Sequence, residues 1–123
     1  MPKAMVIDDS RAIRMILRKT LENLGYEVLE AGNGKEALAV MDREPAVSLM
    51  LVDWNMPEMN GLEFVKRLRS RPGCSQVTLM MVTTETEIEQ MITALEAGAN
   101  EYVMKPFTEE IITDKLRLLG IVA

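Results

Sequence analysis

The sequence predicts a doubly wound α/β fold, a five-stranded parallel sheet with helices on both faces. Three observations carry this. Short apolar runs alternate about five times with longer amphipathic stretches over 123 residues. The links between them are short. Leu49–Val52 is continuously apolar and Val77–Val82 nearly so, as strands buried on both faces are. Strict strand–helix alternation implies a parallel sheet covered on each side.

Lys3–Ile7 reads as the first strand, stopped by Asp8-Asp9. Ala12–Leu24 carries Ile13, Ile16, Leu17, Leu21 and Leu24 at helical spacing, and Gly25 ends it. Tyr26–Leu29 is a short second strand nearer an edge. Gly32-Asn33-Gly34 makes a turn, and Lys35–Arg43 places Ala37, Leu38 and Met41 on one helical face. Leu49–Val52 is the central strand and ends at Asp53. Trp54–Asn60, with Pro57 and then Gly61, is loop. Leu62–Arg69 is helical through Leu62, Val65 and Leu68. Val77–Val82 is the fourth strand, ending at Thr83-Thr84. Glu87–Ala97 is helical, with Ile88, Met91, Ile92 and Leu95 expected inward and Gly98 as its stop. Tyr102–Met104 is the last strand, before Lys105-Pro106. Thr108 caps a final helix to about Leu119.

Size bounds the rest. A chain this long buries about two-thirds of its unfolded surface and exposes roughly 6,600 Å², so one domain over residues 1–123 is expected. The eleven methionines, at periodic positions, read as core filler. Fourteen basic against nineteen acidic residues, with no run of Lys or Arg, argue against a nucleic-acid or anionic-membrane surface. There is no histidine, so Ser–His–Asp and Cys–His catalysis, His-ligated zinc and a phosphohistidine within the chain are excluded. The one cysteine, Cys74, reads as an ordinary loop thiol. No apolar run approaches the ~18 residues of a membrane span. Ala4–Ile7 runs into two aspartates, so no signal peptide is read, and a reducing cytoplasmic setting is expected.

The strands of a parallel sheet end at one edge, where ligands bind beside the reversal of connection direction. That edge collects Asp8, Asp9, Asp53, Thr83 and Lys105. Carboxylates so close repel unless a cation is present or a proton is shared. Lys105 supplies one positive charge, and the all-oxygen donor set selects Mg²⁺ or a similar hard ion. A carboxylate beside Mg²⁺ and an ammonium can attack phosphorus and become an acyl phosphate. Asp53, alone at the end of the central strand, is the nucleophile candidate, Asp8 and Asp9 the metal-holding pair, and Thr83 a donor to the phosphoryl group.

Asp8-Asp9, Asp53 in LMLVDWNMPEMNG, Thr83-Thr84 and YVMKPFT together resemble response-regulator receiver domains, over the whole chain, and most closely the single-domain chemotaxis type. The resemblance implies a flavodoxin-like sheet of order 2-1-3-4-5 and phosphorylation of Asp53 by a histidine kinase. It implies Mg²⁺ on Asp8, Asp9, Asp53 and the Asn55 backbone carbonyl, and phosphoryl binding by Thr83 and Lys105. Thr83 and Tyr102 would form the switch, and the Lys105–Pro106 bond would be cis. Asn55 and Glu85, two residues beyond Asp53 and Thr83, would tune dephosphorylation by positioning water. No activity beyond the protein's own phosphorylation and dephosphorylation is expected.

With no effector domain read in the chain, output would be direct binding by a monomer to the motor switch or another target. The implied face is helix 4, strand 5 and helix 5. There the sequence offers Glu87, Glu89, Glu96, Glu101, Glu109, Glu110 and Asp114, with Lys115 as a lone counter-charge. A phosphate sink or a regulator of a kinase or cell-cycle protein stays open. A haloacid-dehalogenase-type phosphatase would need an Asp where Asn55 stands, and a flavin carrier would meet repulsion at Asp8-Asp9. A degenerate receiver acting only as a binding module is argued against by the intact Asp53, Thr83 and Lys105.

Overall fold

The computed structural model describes residues 1–84 and 88–121, with Ile88 by its backbone alone. Five strands alternate with five helices: β1 (Lys3–Ile7), α1 (Arg11–Asn23), β2 (Glu27–Ala31), α2 (Gly34–Arg43), β3 (Val47–Asp53), α3 (Gly61–Ser70), β4 (Thr78–Thr83), α4 (Ile88–Ala97), β5 (Glu101–Met104) and α5 (Glu109–Leu118). All pairings are parallel, in the order β2-β1-β3-β4-β5. The fold class and strand order are those expected, with β2 at an edge.

Among the described residues, four helices open on a side-chain cap. Ser10, Asn33, Asn60 and Thr108 accept from the backbone N–H groups of Ile13, Glu36, Glu63 and Ile111. Each cap is worth about 1 kcal/mol. Asn60 and Glu63 complete a reciprocal capping box. These caps start α1, α2 and α3 one residue earlier than the apolar spacing alone suggests. The second strand runs later than expected because its register with β1 pairs Lys3 with Glu27 and Ile7 with Ala31.

Alternating side chains fill two cores, one on each face of the sheet. Met5, Ile7, Met50, Val52, Leu79 and Met81 meet α2, α3 and α4 through residues such as Val40, Phe64 and Ala94. Ala4, Val6, Leu49, Leu51, Met80 and Val82 meet α1 and α5 through Leu17, Leu21, Ile112 and Leu116. Six of the eleven methionines, Met5, Met41, Met50, Met59, Met80 and Met81, are buried. Cys74 is a free thiol in a link, as expected, and at 7% exposure it packs into the first core. The accessible surface is 6481 Å², close to the size-based expectation. No helix among the described residues is long and apolar enough to cross a membrane.

Two helical faces differ from expectation. Ile16 on α1 is 50% exposed, and on α4 Ile92 and Leu95 are 48% and 42% exposed. The cause is rotational. At about 100° per residue, the buried Ala94 sets an inner stripe with the half-buried Gln90, Met91 and Ala97. Ile92 then falls nearly opposite and Leu95 on the flank. Glu87 and the Ile88 side chain lie outside the described residues.

Candidate functional site

The chain passes from β1 to β2 on one side and returns as β3 on the other, so the carboxyl ends of β1 and β3 adjoin at the reversal point. Ile7 pairs with Val52, which sets Asp8 beside Asp53. Asp53 pairs with Val82, leaving Thr83 one step beyond it on β4. Both carboxylates are buried, Asp8 at 1% and Asp53 at 4% exposure, while Asp9 is exposed. One oxygen from each of Asp8, Asp9 and Asp53 lies within 4.8 Å of the others.

Lys105 follows β5. Its backbone N–H donates to the Thr83 carbonyl at 2.7 Å. Its Nζ donates to Asp8 Oδ2 and to Asp53 Oδ1, each at 3.2 Å. The Lys105–Pro106 peptide bond is cis, as the resemblance implies. Asp8 also accepts the Ser10 N–H at 2.8 Å on Oδ1, and its backbone carbonyl accepts Arg14 Nη1 at 2.5 Å. Arg14 is held in turn by Glu30 at 3.1 Å.

Burial raises the Asp53 carboxyl above its ordinary value, and the neighbouring Asp8 charge adds to this; Lys105 and the Asn55 backbone N–H oppose it. Burial alone would lower Lys105, but the charges of Asp53 and Asp8 and their hydrogen bonds together outweigh it and raise the ammonium. The group thus carries more negative than positive charge in a partly dry setting. Its donors are all carboxylate oxygens, the set that suits Mg²⁺. The residues present fit that ion.

Gly61 brings the β3–α3 loop against the strand. Its N–H donates to the Trp54 carbonyl at 2.8 Å, and a Cβ there would lie 2.5 Å from the Asp53 carbonyl oxygen. Glu58, in the same loop, holds a left-handed φ of 66° that non-glycine residues seldom adopt.

The structure therefore brings together Asp8, Asp9, Asp53 and Lys105. Asn55 reaches Asp53 through its backbone N–H. Thr83 is buried at the end of β4 and lines a small cavity with Trp54 and Tyr102. Tyr102, on β5, is half-buried, with Lys115 Nζ 4.8 Å from its ring centre. Lys115 also pairs with Glu101 at 3.4 Å, and it is not the only counter-charge, since Arg117 meets Asp114 at 3.4 Å. Glu85 lies outside the described residues. Sequence reading missed Ser10 and Arg14. Ser10, three residues before Ile13, carried a capping signal; the reach of Arg14 to a backbone carbonyl left none.

Residues 4–117 match the family described as the response regulator receiver domain. The chain is 45% identical over 118 residues to chemotaxis protein CheY1 of Helicobacter pylori, covering 95% of each. It is 45% identical over 115 residues to the chemotaxis protein CheY homolog of Campylobacter jejuni, covering 93% of this chain and 88% of the other. The solved structure of chemotaxis response regulator CheY4 of Vibrio cholerae superposes with a TM-score of 0.89 at 36% identity, covering 97% of this chain and 98% of that one. By motif, strand order, site geometry and these likenesses, the chain belongs to the response regulator receiver domains, the phosphoacceptor domains of two-component signalling.

Proposed function

We propose that the protein acts as a single-domain receiver in chemotaxis, taking a phosphoryl group from a histidine kinase onto Asp53 and thereby changing its affinity for a target protein. The observation that carries this is the buried Asp53 carboxylate, joined with Asp8 to one lysine ammonium at 3.2 Å and beside the exposed Asp9. The names of the relatives in Helicobacter and Campylobacter support the chemotaxis setting.

An Asp53 oxygen attacks the phosphorus, the bond from phosphorus to the donor imidazole nitrogen breaks, and that nitrogen keeps the electron pair and takes a proton. Lys105 draws the phosphoryl oxygens toward Asp53 and offsets their charge. Thr83 donates its hydroxyl to the group once it is attached. Asp8, Asp9, Asp53 and the Asn55 carbonyl would hold Mg²⁺, which when bound supplies further charge neutralisation to the carboxylates and the phosphoryl oxygens. Asn55 and Glu85 position the water that later hydrolyses the acyl phosphate, so the only reactions promoted are the protein's own.

Tyr102 turns inward as Thr83 moves toward the phosphoryl group, and the α4–β5–α5 face then favours its partner. That face is less uniformly acidic than its sequence suggests, because Ile92 and Leu95 on α4 and Ile111 on α5 are solvent-exposed. Exposed apolar groups rimmed by charge suit a protein partner such as the motor switch. Incubation with radiolabelled acetyl phosphate or phosphorylated kinase should label the protein only with Mg²⁺ present, through a hydroxylamine-labile linkage. Asp53→Asn should remove the label. Undiminished labelling of that variant would refute the assignment.

A further inference from the structure

Gln90 lies on the inner stripe of α4, and its amide oxygen is buried. Among the described residues it is the one buried side-chain polar atom without a hydrogen-bond partner. It borders a cavity of about 10 Å³, room for roughly one water or one hydroxyl. Thr83, Trp54, Met81 and Tyr102 form other parts of the wall. An acceptor left unpaired in one conformation and satisfied in another weights the equilibrium toward the second.

Of the donors in the cavity wall, Thr83 is the one drawn toward Asp53, and Tyr102 carries its hydroxyl at the end of a ring that can turn. Its ring is half-buried, and Lys115 approaches it at 4.8 Å. One set of contacts holds the ring where it is, and an unused acceptor waits at the cavity. We propose that Gln90 Oε1 is the acceptor for the Tyr102 hydroxyl when the ring turns inward, so that Gln90 sets how far phosphorylation moves the switch. This rests on the reading of Tyr102 as the switch. Gln90 is a positioning residue: its role is exerted through Tyr102.

The chain has two tyrosines, and Tyr26 is buried under the other core, so it serves as an internal reference. The full chain carrying ¹³C-labelled tyrosine rings is followed by NMR while Mg²⁺ and beryllium fluoride, a phosphoryl analogue, are added. The Tyr102 signals should move toward a buried environment. Gln90→Met, similar in shape but without an acceptor, should lower the inward-to-outward ratio about five- to tenfold, the weight of one buried hydrogen bond. Its urea midpoint should be no lower than the parent's, which shows that the variant folds. Gln90→Glu, which keeps an acceptor oxygen, should retain the response. If Gln90→Met responds as fully as the parent, the inference is overturned while the Tyr102 switch stands. If Tyr102 does not move in the parent although Trp54 emission reports the analogue bound, the switch and this inference fall together.

Discussion

The β1–β3 centre of the sheet and its β4–β5 end are built differently. At the centre Asp8 uses its backbone N–H, its backbone carbonyl and both carboxylate oxygens, toward Ala31, Arg14, Ser10 and Lys105. Gly61 closes the loop on Asp53 with no room for a methyl group. At the other end a small cavity persists, the Gln90 oxygen is unpaired, Tyr102 is half-buried, and α4 turns Ile92 and Leu95 outward. Phosphoryl chemistry needs groups already in place before the donor arrives. Signalling needs two packings of similar free energy. On the proposed function one sheet serves both needs, with its polar pairings concentrated at the centre and its packing incomplete at the edge.

The largest effect expected from breaking this contrast is at Gly61. An added Cβ would meet the Asp53 carbonyl oxygen at 2.5 Å, Met81 Cε at 2.6 Å and the Trp54 Cα at 3.0 Å. Met81 can swing aside, but the two backbone atoms cannot without moving β3 or its loop. Gly61→Ala should therefore cost about 1–3 kcal/mol in urea unfolding, as overpacking does, even though alanine favours the helix that begins there. A cost near zero would show that the centre is looser than described.

A smaller effect of opposite sign is expected at Asp53. Its carboxyl is raised above 3.8 by burial and by Asp8, so the folded state holds the proton more tightly than the unfolded state. That stabilising share is complete below about pH 4 and is lost as pH rises through the folded value. At pH 7 the metal-free parent thus bears a buried charge that an amide lacks. Asp53→Asn should be more stable by about 1 kcal/mol in EDTA at pH 7, and the gap should close as pH falls toward 4. A gap that stays constant with pH would mean that the charge at Asp53 is not its source.

The same contrast governs what could be read from the sequence. Asp8, Asp53 and Lys105 were legible because strand ends are marked by a change from apolar to charged residues, and a parallel sheet gathers its ends at one edge. The strand order came with the family resemblance, since no local signal says which strands pair. Arg14 was not legible, because its bonds to Asp8 and Glu30 depend on where the end of β1 and the side of β2 meet. On α4, apolarity misled. Ile92 and Leu95 outrank Gln90 in hydrophobicity, yet the small Ala94 is the residue that faces the sheet.

The smallest effect separates those two readings of α4. If Ile92 faced the core, Ile92→Ser would open a cavity and bury a hydroxyl, at a cost of about 2–5 kcal/mol. With the side chain 48% exposed, the change removes little packing, and urea unfolding should shift by no more than about 0.5 kcal/mol. Labelling at Asp53 should proceed at the parent's rate, since Ile92 is exposed on α4 while Asp53 is buried at the end of β3. Binding of the phosphorylated protein to its target should weaken if α4 is part of the docking face. A stable, normally labelled Ile92→Ser protein that binds its target as tightly as the parent would move the docking surface off this side of α4 without disturbing the chemistry at the centre.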